Sequence, residues 1–315
     1  MATRIPQGFR YSKELKQLAL TIYFFGPRAY QFLKNILQLP STRTLRRVTE
    51  KIDIVPGLNY VIFESFNFKL NNFKDDAKYC VLYIKEMAIK TILFYNLSKD
   101  YIVRFNSSFD QKTYEPANYV LCFMLRGLNY NWKQPVAYYF IKNSCTGLQL
   151  QNTIFAVISK IQSISLNIRV LKTDQGSNFI EFAKKMNVSP QRPYFFVNKK
   201  KIFYVFNVPH LLKSTRNNFF KYHLTFANGI TEKKHFVNFY KSDQGLNRLA
   251  PKLTDAHINP GPFQKMKVRY ASQIFSATVA AGMRTCIEGG ILSPTAETTV
   301  MFIDYMDKLF RVKNS

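Results

Sequence analysis

Apolar and polar positions alternate with different periods in successive stretches of the chain. Over residues 11–25, Leu15, Leu18, Ile22 and Phe25 recur at the spacing of an amphipathic helix, which Gly26-Pro27 breaks. A second helix is predicted over residues 29–37. Pro40-Ser41 opens a third, with Ser41 or Thr42 as N-cap and Leu45, Val48 and Ile52 as its apolar stripe. From Lys78 to about Phe206 the pattern becomes that of strands. Residues 79–87, 91–95, 119–125, 136–141 and 168–173 are short and rich in β-branched and aromatic side chains. Helical patterns over 148–164 and 179–186 flank the last of these, strands over 194–197 and 202–206 follow, and a helix begins near Pro209. A run of strands followed by helix, strand and helix predicts an α/β fold with a sheet of mixed strand directions. After Phe226 the texture is mostly helical, with one long pattern over 263–284 and another over 295–310.

Charge changes this picture more than composition does. The 47% of hydrophobic residues suffices for a core, and 315 residues fit roughly two domains of ordinary size. Against 45 Lys and Arg stand only 19 Asp and Glu, a net charge of +26. Such an excess repels itself in a compact state and points to a polyanionic partner, DNA before a membrane, because it runs along the whole chain. No run of about 18 apolar residues exists to span a bilayer. Leu18 to Phe25 is interrupted by Thr21 and followed by Pro27-Arg28, so it reads as a core helix and not as a signal segment. Cys80, Cys122, Cys145 and Cys286 are scattered, without the pairing that zinc requires, and fit buried thiols in a reducing compartment.

Three places carry candidate chemistry. In the third helix, Arg43, Arg46 and Arg47 lie opposite the apolar stripe. Spacing alone fits a major-groove helix and the solvated face of a small bundle equally well. Asp174 is the only acid between Glu115 and Glu181, and it stands at the carboxyl end of a predicted strand, before Gln175-Gly176-Ser177-Asn178 and a helix. In α/β sheets that end gathers ligands and metals, although an Asx turn or N-cap is the commoner role. The segment 182–231 has no acid and nine basic residues, Lys184, Lys185, Arg192, Lys199, Lys200, Lys201, Lys213, Arg216 and Lys221, interleaved with aromatics from Tyr194 to Phe206. Most of these aromatics are expected in the core, and the lysines, Lys199, Lys200 and Lys201 above all, are expected to contact phosphates.

Taken in order, these motifs resemble the P-element-type, or THAP-type, DNA transposases. The resemblance runs from Arg10-Tyr11-Ser12, Gly26-Pro27-Arg28-Ala29-Tyr30, Leu39-Pro40-Ser41 and Thr44-Leu45-Arg46-Arg47 through Glu86-Met87, Tyr114-Glu115-Pro116, Arg126-Gly127-Leu128 and Trp132-Lys133-Gln134-Pro135-Val136. It continues with Asp174 to Asn178, Pro209-His210-Leu211-Leu212-Lys213, Arg216-Asn217-Asn218, Leu249-Ala250-Pro251-Lys252-Leu253, His257-Ile258-Asn259-Pro260 and Phe263-Gln264-Lys265. The resemblance implies a helix-turn-helix DNA-binding region over 1–60 and an RNase H-like core over 78–222. A helical, GTP-binding-type insertion would follow over 223–315. It also implies DNA cutting and joining by an acidic triad holding Mg²⁺, with GTP as a second cofactor and a nuclear location.

The departures from that pattern shape the functional expectation. The resemblance places the first triad acid at Lys85 and the second at Asp174, the remaining metal ligand. An ammonium in the first position opposes cation binding, and Glu86 points to the other face of a strand. The third acid lies beyond Ser315 in the family pattern, so the core is expected to be incomplete, and the family's N-terminal zinc domain has no counterpart in the sequence. The GTP-contact positions are Lys252, Val268 and Asn314, and Arg311 stands where an Asp would accept from guanine. Mg²⁺ and GTP use are thus both expected to be impaired. The sequence reads first as a transposase-derived DNA-binding protein, domesticated or decaying, that does not cleave. The alternatives are an active cut-and-paste transposase, aided by a partner chain, and a repressor that assembles with full-length transposase or with itself.

Overall fold

The computed structural model describes residues 10–50, 54–97, 100–107, 113–143, 145 and 147–312, in two compact units that divide between Asn72 and Phe73. Asn314 and Ile52 lie outside the described residues. The first unit opens with helices α1 (Lys13–Phe25), α2 (Pro27–Ile36) and α3 (Thr42–Thr49). Ser12 and Ser41 cap α1 and α3 by accepting the Leu15 and Thr44 N–H groups, each at 3.1 Å. Such caps contribute about 1 kcal/mol apiece. Pro27 stands at the first turn of α2, where its missing N–H costs no bond. Ala19, Tyr30, Leu39 and Leu45 form the small core, and the Tyr30 hydroxyl donates to the Pro40 carbonyl at 2.6 Å, fixing the turn between α2 and α3. Beyond residue 60 this unit continues through α4 (Tyr60–Leu70), which the sequence pattern does not announce, after a two-residue strand β1 (Gly57–Leu58).

The second unit is built on a mixed sheet. Its strands are β2 (Tyr79–Ala88), β5 (Tyr119–Gly127), β6 (Lys133–Ile141), β7 (Asn167–Thr173), β8 (Tyr194–Val197) and β9 (Lys200–Phe206), in the spatial order β6-β5-β2-β7-β9-β8. β6, β5 and β2 are antiparallel neighbours, whereas β7 joins β2 and β9 joins β7 in parallel. Helices α5 (Gly147–Ser163) and α6 (Ser177–Lys185) supply the crossovers and cover one face. Under them lie Leu82, Ile84, Leu171, Phe195 and Tyr204, and the Tyr204 hydroxyl pairs with Thr173 at 2.7 Å and donates to the Phe179 carbonyl at 3.0 Å. The expected strand over 91–95 belongs to a separate ladder, β3 (Phe94–Asn96) with β4 (Tyr101–Val103).

The helical remainder starts on α7 (Val208–Lys221). It continues through the hairpin β10 (Leu224–Phe226) and β11 (Gly229–Thr231), then α8 (Lys233–Ser242), α9 (Asp255–Ile258), α10 (Pro262–Lys265), α11 (Val268–Ile274), α12 (Ala277–Glu288) and α13 (Glu297–Val312). Leu212 and Phe219 of α7 enter its core beside Phe236, Phe239, Ile274, Phe275, Met283, Val300, Phe302 and Ile303. Each large apolar side chain buried there contributes about 1.5–3 kcal/mol. The single helix expected over 263–284 is three helices. Lys267 and Ser276 take extended backbone conformations, and the Ser276 hydroxyl caps α12 by accepting the Val279 N–H at 3.4 Å. A side chain that satisfies a backbone donor in this way outcompetes helix continuation. Among the described residues no helix is long and apolar enough to cross a membrane.

Candidate functional site at Asp174

The parallel register of β2 on β7 brings the two family-type positions together. Tyr83 pairs with Lys172, and two residues further on Lys85 stands level with Asp174 at the carboxyl ends of the strands. Strand alternation buries Ile84 and leaves Lys85 exposed. Asp174 is mostly covered, with a side chain 16% exposed. Its Oδ1 accepts from Asn207 Nδ2 at 3.1 Å and lies 3.4 Å from His210 Nε2. Asn207 is the N-cap residue of α7, but its side chain serves Asp174 in place of the helix's own N–H groups. Burial pushes the His210 pKa down; the Asp174 carboxylate opposes that shift, while Lys213 and Lys85 add to it through space. Sequence reasoning missed both partners of Asp174. Their signal was the Asn207-Val208-Pro209 helix start directly after β9, the parallel neighbour of β7, where the Asn207 N–H donates to the Thr173 carbonyl at 2.7 Å.

Glu86 lies on the side of the sheet opposite Lys85, as alternation requires, yet it is not remote from Asp174. Asn178 Nδ2 donates to Glu86 Oε2 at 2.7 Å while Asn178 Oδ1 accepts the Phe179 N–H at 2.8 Å. Glu86, Asp174, Gly176, Asn178 and Tyr119 line one cavity of about 170 Å³ at the sheet rim. A metal-dependent RNase H-like centre needs several carboxylates converging on hard cations. The residues here do not fit that need. Lys85 stands where the resemblance places a ligand, Asp174 is engaged by Asn207 and His210, and among the described residues no three His, Cys, Asp or Glu side chains group closely enough to hold a metal ion.

The candidate DNA contacts fall in two regions. Arg43, Arg46 and Arg47 are all exposed on α3, opposite buried Leu45. Lys199, Lys200 and Lys201 are exposed at the β8–β9 hairpin, whose turn residues Asn198 and Lys199 have φ of 50° and 62°. Two left-handed residues in a two-residue loop match the twist of the flanking strands. The neighbouring aromatics divide between faces. Phe195 and Tyr204 are core, but Phe196 and Phe203 are 49% and 42% exposed, and Lys201 Nζ lies 4.2 Å from the Tyr194 ring centroid and 5.9 Å from that of Phe203. Arg216 is removed from the basic surface. It is fully buried, with Nη2 donating to the Lys265 carbonyl at 2.7 Å and Nε to Asn217 at 3.0 Å.

In the helical remainder, Lys252 is exposed in the turn after Pro251, Val268 begins α11 and Arg311 lies in the last turn of α13. Arg311 Nε is paired with Asp307 at 2.8 Å. A guanidinium offers only donors, so Arg311 does not fit the guanine edge that an Asp would accept from. The four cysteines are free thiols, and Cys80 and Cys145 are pushed by burial to pKa values of about 12.

Family models match in the order of these elements. One described as transposable element P transposase-like, HTH domain, covers residues 2–47. One for a TNP-like RNase H N-terminal domain covers 54–187, and one for a TNP-like GTP-binding insertion domain covers 209–315. The chain belongs to the P-element-type transposase family. The P transposase of Drosophila melanogaster is 30% identical over 309 residues, which are 94% of this chain and 38% of that protein. The human DNA transposase THAP9 is 26% identical, over 97% of this chain and 35% of its own length. A solved Drosophila P element transposase strand transfer complex superposes with a TM-score of 0.80 at 27% identity, covering 96% of this chain and 66% of that one. This P-element-type chain thus spans well under half the length of these curated relatives, and the helix-turn-helix, RNase H-like and insertion models follow one another along it in that order.

Proposed function

We propose that this chain is a DNA-binding protein of the P-element-type transposase family whose own centre does not cleave DNA. The observation that carries the reading is Lys85 standing level with Asp174, an ammonium where the family pattern has a metal-binding carboxylate. Binding is supported by the +26 charge and by exposed Arg43, Arg46, Arg47, Lys199, Lys200 and Lys201. The genomic DNA of the nucleus is the substrate, and a second copy or a full-length transposase is the protein partner, as the strand transfer assembly of the Drosophila relative suggests. GTP is not selected over ATP, because Arg311 cannot accept from guanine. One observation favours a competing reading, an active nuclease: Glu86 lines the same cavity as Asp174. A strand-cleavage and strand-transfer assay with Mg²⁺ or Mn²⁺ separates the two. No product is expected from the wild-type chain, whereas product that disappears in Asp174→Ala would establish the nuclease.

A further inference from the structure

We propose that the centre around Asp174 holds a phosphodiester of the DNA backbone directly, through Lys85, His210 and Lys213, with no divalent cation between them. The inference rests on the DNA-binding reading above and deepens it. In a two-metal centre the cations stand between protein carboxylates and the phosphate, and carboxylates alone would repel the phosphate. Here the positive charge is built into the chain. Lys85 is exposed in the carboxyl-terminal half of β2, and Lys213 follows His210 by one turn on α7. Neither lysine forms an ion pair among the described residues. Both carboxylates at the cavity are already engaged: Asp174 Oδ1 accepts from Asn207 at 3.1 Å and lies 3.4 Å from His210, and Glu86 Oε2, on the opposite side of the sheet from Lys85, accepts from Asn178 at 2.7 Å. An ammonium is a point charge that needs no coordination geometry, so one lysine can take over the electrostatic task of a cation on a phosphate without its chemistry.

The test is a fluorescence titration of the full chain against a labelled DNA duplex over a range of salt concentrations, in EDTA and again in Mg²⁺ at matched ionic strength. Wild-type binding is expected in EDTA, and Mg²⁺ should not strengthen it, since as a counterion of DNA it only competes with the lysines. Lys85→Ala and Lys213→Ala should each weaken binding several-fold and flatten the dependence of log K on log salt by about 0.9 per phosphate lost. Lys85→Arg keeps the charge and should keep the slope. Lys85 is exposed, so circular dichroism should show these variants folded. A wild-type affinity that requires Mg²⁺, or a Lys85→Ala slope equal to wild type, overturns the inference and leaves DNA binding standing. A wild-type chain that fails to bind duplex even at low salt overturns both. Displacement of the duplex by inorganic phosphate at constant ionic strength would show a site for free phosphate and overturn the assignment to DNA.

Discussion

Buried His235 is held at both ring nitrogens by threonines: Nδ1 lies 2.9 Å from the Thr299 hydroxyl, which also accepts the Glu232 N–H at 3.2 Å, and Nε2 lies 3.3 Å from Thr295 Oγ1. Burial pushes its pKa below the ordinary value, with Glu232 opposing and Lys234 assisting. Because the folded value is depressed, the unfolded chain takes up the proton first as the pH falls. Stability is then complete above about pH 6.5 and is lost as the pH drops through the folded value. Urea denaturation at about pH 7.5 and 5.5 should show this loss, and His235→Gln should show less of it. An equal loss in both proteins would contradict the account. At this scale the sequence was informative where a residue type is scarce. Asp174 stood out because acids are few, but Arg216 counted as surface charge because composition carries no depth.

Helix packing shows the limit of periodicity as a guide. Gly282 lies in α12 where a Cβ would meet Phe239 at 2.8 Å and Leu249 at 3.1 Å, so α12 reaches α8 this closely only without a side chain. Alanine would gain up to about 1 kcal/mol of helix propensity but would overpack a filled core at a cost of about 1–3 kcal/mol. Gly282→Ala should therefore lower the stability, read as the midpoint of thermal unfolding. A raised midpoint would show that the helices can separate. The strands were legible because β-branched and aromatic runs such as 79–87 and 194–197 are bounded by turns. The breaks at Lys267 and Ser276 were not, because apolar residues on both sides serve one core and keep a helical spacing across the gaps. The half-exposed aromatics of β8 and β9 were misplaced for a related reason: alternation reveals that two faces differ but not that one is left open beside lysines.

For the molecule as a whole, the governing quantity is positive charge. With about eight phosphate contacts, affinity for duplex DNA should fall on the order of ten-thousandfold between roughly 50 and 200 mM salt. A flat response in a gel-shift titration would argue against a backbone-binding surface. The same charge reaches the centre, where Lys85 stands level with Asp174 and acts with Lys213 on His210 through space; on the proposed reading it opposes a divalent cation there. Calorimetric titration of Mn²⁺ into the chain tests this most directly. The account predicts no saturable heat for the wild-type protein and a saturable heat for Lys85→Asp, whereas a wild-type isotherm that saturates and is abolished in Asp174→Ala would contradict it.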